Sequence, residues 1–425
     1  MQLQLQELST AGKATGLALA LHGGEPSPNS MNDTITPRLR ADVELKPFDE
    51  YEGEQRFIVA VDERHLVVSE GVAIVLEECR TQTTLGAVAA RASARLGFSV
   101  SSEMVGNVLS SEVLSDCFHV PEQRAKLQCP VRLRQRVVPA QVLAPMLVPL
   151  RWLFTRPAAA MVITTLVLIE LLVLQKEPVS APPLSGAQIV CSVALTMLGV
   201  VVHELGHLTA CARFGAGHGG IGVGVYWCMP VLYAEVNGAW MLPRLQRAAV
   251  DVGGVYFQCA YLIALGAAYL ASDAVPFIEA MVWTHFLMLH TLNPVLKYDG
   301  YWLLTDLGAM PNLHEQIRSS ATQILQTLRH AADARFPTPK QFTILCAFSA
   351  IAFAYFACTL AMLGTNIGHG ASEIAQRWPA RGSTPFGNWH VVGESALLAL
   401  LVVMALSLAV LLARSIHRIG KDPQV

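Results

Sequence analysis

Residues 186–207 read GAQIVCSVALTMLGVVVHELGH: seventeen uncharged residues, Gly186–Val202, running straight into His203-Glu204-Leu205-Gly206-His207. The uncharged run approaches the length of a membrane-crossing helix. Two histidines at i and i+4 on a helix share one face and can hold one metal ion. The glutamate beside the first histidine is placed to take a proton from a water that a metal has acidified. An HExxH string arises by chance in roughly one chain in a hundred of this length. Its position adds weight, because two imidazoles and a carboxylate at the end of a membrane helix are costly unless buried against partners.

A hydrolytic zinc needs a third protein ligand and an open fourth position. Asn293-Pro294-Val295-Leu296-Lys297-Tyr298-Asp299-Gly300-Tyr301-Trp302 is the second informative run. Proline and glycine break the helix there, which is tolerated at membrane depth where backbone lines a cavity. Asp299, just past the break, is the expected third ligand. His285 and His290 compete as nitrogen ligands, but their spacing of five puts them on different faces, so at most one can reach the metal. Asn293 either hydrogen-bonds a substrate backbone or satisfies the broken helix.

The composition around these runs explains their setting. The chain has 425 residues, 53% apolar and 15% charged, with mean hydropathy +0.42. A soluble domain is nearer one quarter charged. The 30 basic and 32 acidic residues nearly cancel, so no basic signature points to nucleic acid. Residues 1–156 carry 34 of the charges and the remaining 269 residues only 28. Six apolar runs follow: Pro157–Leu174, Gly186–Val202, Val252–Ser272, Ala280–Leu296, one within Gln341–Gly364, and Ser395–Ala413. Assigning the N-terminal side to the cytoplasm leaves 16 Lys and Arg inside and three outside (Lys176, Arg377, Arg381), which predicts both termini in the cytoplasm.

The N-terminal part reads as a soluble module. Residues 1–37 form a tail rich in turn and disorder formers, with no signal peptide, and Met31 is an alternative start. Over 38–120, Arg56–Val61 alternates as a strand and Leu66–Val68 is a second. Ser69 opens a helix, a second spans Leu85–Leu96, and a third is capped by Ser101 or Ser102. A strand hairpin followed by three helices suits a winged-helix type of module. Residues 121–156 are a basic connector, with Arg132, Arg134 and Arg136 expected at the membrane surface. Nine cysteines without a CxxC pair supply neither a disulfide framework nor a cysteine metal site.

HELGH together with NPVLKYDGYW resembles the site-2 protease class of intramembrane zinc metalloproteases. The nearer resemblance is to the bacterial peptide zinc metalloprotease branch with a PqqD-like N-terminal domain. The runs Arg213–Gly215, Ala239–Arg244 and Val250–Gln258 agree with that branch, and the resemblance covers about residues 38–420. It implies His203, His207 and Asp299 as zinc ligands and Glu204 as catalytic base. A PqqD-like domain further implies recognition of the leader of a ribosomally made peptide, by strand addition at the edge of the Arg56–Val61 hairpin.

The resulting expectation is a mainly α polytopic protein of about six transmembrane helices (157–414) with a small α/β winged-helix-like domain, residues 415–425 forming a cytoplasmic tail. It would lie in the inner (cytoplasmic) membrane as a zinc endopeptidase acting on a peptide precursor or membrane-associated peptide, with a peptide exporter or modification enzyme as partner. The competing class is a non-catalytic peptide chaperone, exporter component or immunity protein that retains the motif. A membrane oxygenase would need many more clustered histidines. Four features have open roles. Gly215–Asn237 is either a hairpin offering a strand edge or a glycine-rich connector. Glu235 is exposed or faces the cavity, Asp251 supports the site or is interfacial, and Glu170 is functional or snorkels towards Lys176.

Overall fold

The computed structural model describes residues 36–308, apart from 52–53, 62–63, 82–83, 119–130, 177–184, 227–228 and 295–296. The expected fifth and sixth spans, the N-terminal tail before residue 36 and the C-terminal tail lie outside the described residues. The described part is mainly helical, with two small sheets.

The N-terminal module is a three-stranded antiparallel sheet, β1 (Glu44–Tyr51), β2 (Glu54–Val61) and β3 (Arg64–Ser69), followed by α1 (Glu70–Glu78), α2 (Leu85–Leu96) and α3 (Ser102–Leu109). Its core is one cluster. Val59, Val61, Leu66 and Val68 come from the sheet, and Val72, Leu76, Val88, Ala92 and Val105 from the helices, all buried. The caps follow side-chain chemistry. Thr84 Oγ1 accepts from the Ala87 amide, Ser101 Oγ accepts from the Met104 amide, and Gly97 closes α2 in the left-handed region. Ser101, not Ser102, is therefore the cap of α3. β1 was not expected: ELKPFDEY is charged and carries a proline, which suits a sheet edge. It makes β2 the central strand, so the Arg56–Val61 edge expected to take a peptide is covered on both sides, and the sheet's edges are β1 and β3.

The second sheet joins distant segments in the order β4 (Val131–Val138), β5 (Ile221–Tyr226), β6 (Met229–Ala234). Gly215–Asn237 is thus a hairpin, and its glycines let strands approach. A Cβ on Gly220 would lie 2.1 Å from the Val138 carbonyl oxygen, and one on Gly222 2.8 Å from that of Gln135. Arg134 and Arg136 on β4 both pair with Glu235, the closer contact being 2.6 Å. These exposed arginines and the half-buried Glu235 are therefore ion-pair partners within the chain.

After α4 (Ala140–Leu150) come, among the described residues, three helices long and apolar enough to cross a membrane: α5 (Arg156–Gln175), α6 (Gly186–Phe214) and α8 (Gly253–Ser272). α6 is the longest, about 43 Å at 1.5 Å per residue. The Ser185 and Gln188 side chains cap its start, and Gly215, at φ 76°, ends it. Its polarity is reversed relative to a soluble helix. Ser192, Thr196, Gly199, His203, Gly206 and His207, at spacings of three and four, are buried. Ile189, Val190, Val193, Met197 and Leu198 are exposed. An apolar exterior around a small and polar interior face is what lipid, not water, selects.

Between these helices, α7 (Arg244–Asp251) precedes α8. α9 (Val275–Thr291) follows it and leads through the Asn293–Pro294 break into α10 (Asp299–Gly308). α9 has 17 residues and begins five residues before the expected start of the fourth span. Pro276 in its first turn is preorganised for helix entry, so the helix takes in Glu279 instead of starting after it.

Candidate metal centre

The site begins where α6 crosses α8. A Cβ on Gly206 would lie 2.2 Å from the Gly253 carbonyl oxygen and 3.0 Å from the Gly254 Cα, so the two helices touch backbone to backbone. The glycine of HELGH and the glycine pair of the 250–258 run form one contact. That contact presses Gly254 against the histidines. A Cβ there would be 2.6 Å from His203 Nε2 and 2.6 Å from His207 Nε2.

His203, His207 and Asp299 converge in this cradle, all three buried, and form the one metal-capable group of His, Cys, Asp and Glu among the described residues. The two Nε2 atoms are 3.1 Å apart, and Asp299 Oδ2 lies 2.9 Å from His203 Nε2 and 3.4 Å from His207 Nε2. A tetrahedral ion bound at about 2.0–2.1 Å sets ligand–ligand edges of about 3.3 Å. The three measured edges fall around that value, so the donors fit a zinc-like cation.

The far nitrogens of both rings are held. The Val250 carbonyl lies 2.7 Å from His207 Nδ1, and because a carbonyl only accepts, that nitrogen carries the proton. Gln258 Oε1, 3.0 Å from His203 Nδ1, accepts from it in the same way. Both Nε2 lone pairs are thereby left facing the centre. Gln258 sits one turn beyond Gly254 on α8. That i, i+4 spacing within GGVYFQ is the signal that sequence reasoning passed over. Burial works against an ionised Asp299, but His207 and His203 beside it hold its carboxyl well below the usual carboxylate range.

Glu204, next to the first histidine, is buried, and its Oε2 has no hydrogen-bond partner among the described residues. A buried carboxylate oxygen without a donor is expensive. Asn293 is buried at the break after α9, and Gly300 packs on the Leu292 carbonyl, where a Cβ would come within 1.9 Å. Trp240, from the 239–244 run, meets Trp302 of α10 edge to face at 5.5 Å.

The two competing histidines stand outside the group. His285 donates from Nδ1 to the Met281 carbonyl at 2.8 Å and has Nε2 3.3 Å from Glu170 Oε1. His290 stacks on Phe286 and meets Tyr298 at a tilt. Glu170 thus lies beside His285, while Lys176 pairs with Asp273. Asp251 lies buried beside Asp306. Burial, with the Asp306 and Asp299 carboxylates nearby, pushes its carboxyl well above the usual range against the opposing pull of Arg247.

Fold and site together define a membrane protein with a buried His-His-Asp group that can hold a metal. Among known proteins, the chain is 27% identical over 113 residues to the "Putative peptide zinc metalloprotease protein YydH" of Bacillus subtilis (strain 168). The similarity covers 25% of this chain and 44% of that protein, so less than half of the relative's length is spanned. No family model and no solved structure matches. The similarity is distant and runs to a protein named as a zinc metalloprotease.

Proposed function

We propose that the protein is a zinc-dependent intramembrane endopeptidase of the site-2 protease type that cleaves a ribosomally made peptide precursor or a membrane-associated peptide. The observation that supports this reading is a His203-His207-Asp299 donor set beside the buried Glu204, whose Oε2 has no hydrogen-bond partner among the described residues. The zinc named in the relative's title agrees with the donor set.

Bound there, zinc supplies Lewis-acid polarisation of a peptide carbonyl and acidification of water. His203, His207 and Asp299 hold it, and Gln258 and the Val250 carbonyl fix the ring tautomers. Glu204 takes the proton from the attacking water and returns it to the nitrogen released when the peptide bond breaks, so that one water is consumed per bond. Helical peptide bonds are already hydrogen-bonded, so the substrate must be extended before attack. The β4–β5–β6 sheet and the Asn293 break supply backbone and side-chain groups for that purpose. In the N-terminal module the β3 edge, Arg64–Ser69, takes the place of the covered β2 edge for a leader peptide. Tethered in this way, a precursor reaches a high effective concentration at the site.

Glu204→Gln tests the reading. In the full chain reconstituted in vesicles with its precursor peptide, cleavage is expected to fall at least about a hundredfold, the usual worth of a general base, with metal content unchanged. Full precursor processing by the variant would overturn the peptidase assignment.

A further inference from the structure

We propose that Arg247 is a positioning residue that couples the N-terminal module to the metal ligands; this rests on the metal reading above. Arg247 is 2% exposed. It ties three segments together. Its Nη2 pairs with Asp49 of β1, its Nη1 donates to the Leu242 carbonyl at 3.0 Å, and its Nε donates to Asp306 Oδ1 at 2.9 Å. The Phe48 ring lies under the guanidinium, 4.3 Å from its carbon.

The module's contribution is a built feature. β1 pairs with β2 in register up to Pro47↔Phe57, and pairing resumes at Glu50↔Gln55. Three steps on β1 match two on β2, so β1 carries one extra residue, a bulge at Phe48–Asp49. The Gln55 amide holds it by donating to the Phe48 and Arg56 carbonyls, both at 2.8 Å. A bulge re-aims side chains out of the alternation, and here the two residues it re-aims are the two that grip Arg247.

The other side of the clamp leads to the metal. Asp306 is seven residues, two turns, beyond Asp299 on the same face of α10. Asp251, one turn after Arg247 on α7, lies buried beside Asp306. Val250, beside it, accepts from His207. α7 thus touches both ligand-bearing helices, and Arg247 is the point at which the module touches α7 through charge. Loss of the Asp49 grip frees Arg247 and Asp306 to shift, and Asp299 moves with the helix that carries both acids.

The test uses the purified full chain and zinc alone. Zinc affinity is read by chelator competition, and cobalt substitution gives a visible ligand-field spectrum, which a merely stabilising ion pair would leave unchanged. Asp49→Asn and Phe48→Leu, neither near the reacting atoms, are each expected to weaken zinc binding about tenfold and to alter the cobalt band. Asp49→Glu is expected to restore both. Affinity and spectrum within twofold of wild type in Asp49→Asn and Phe48→Leu would overturn the coupling while leaving the metal centre intact. A wild-type chain that takes up no zinc would overturn the proposed function, and the coupling with it.

Discussion

Gly254 has no room for a side chain, since a methyl group there would sit 2.6 Å from Nε2 of both His203 and His207. The same helix supplies Gln258, which holds His203 by its far nitrogen. Such outer partners set ring orientation and tautomer, and their loss typically costs 10–100-fold in metal affinity. Gln258→Ala is therefore expected to lower zinc affinity by about that factor without unfolding the chain, as read by chelator competition and circular dichroism. The His203-His207-Asp299 group that could hold a metal was legible in the sequence because HExxH is a local spacing and Asp299 follows a visible helix break. Gln258, Arg247 and Asp306 were not, because their meaning depends on which helices meet. A glutamine in an apolar span and an arginine counted as a loop cation give no local sign of what they touch.

At the scale of elements, α1, α2 and α3 and the strands β2 and β3 followed from helix-start residues, helical periodicity and alternation, which are local signals, although Ser69 at the start of α1 makes no side-chain capping bond. β1 and β4 did not. β1 breaks its alternation at the bulge, and β4 pairs with a hairpin more than eighty residues away, so its arginines read as a surface run. α6 shows how a local pattern can be right and still incomplete. Its apolar run announced a membrane helix, while the helix continues unbroken through the histidines to Phe214. Within the module, His65 on β3 faces Ala60 across the sheet. Burial pushes its imidazole down to about 4, with Glu44 opposing. The unfolded chain takes up that proton near pH 6.5 and the folded module only near pH 4. Module stability is therefore complete above pH 6.5 and declines as pH falls through this window. Amide exchange in β2 and β3 of the full chain should accelerate between pH 6.5 and 4 once corrected for intrinsic rates. His65→Gln should flatten the trend, and an unchanged trend in that variant would contradict it.

For the whole molecule, the scarcity of charge after residue 156 determines where chemistry can occur. Of 14 acidic residues there, Glu204, Asp251, Asp299 and Asp306 are buried together with Arg247 around one pair of histidines. A chain that spends so few charges in its apolar region and gathers them at one crossing of helices has concentrated its function there. The central claim is that this crossing holds a catalytic zinc, and the metal content of the full chain purified from membranes tests it most directly. Elemental mass spectrometry should find about one zinc per wild-type chain, and little in folded Asp299→Ala or Gly254→Ala. A wild-type chain without metal, or either variant with its full zinc, would contradict the claim.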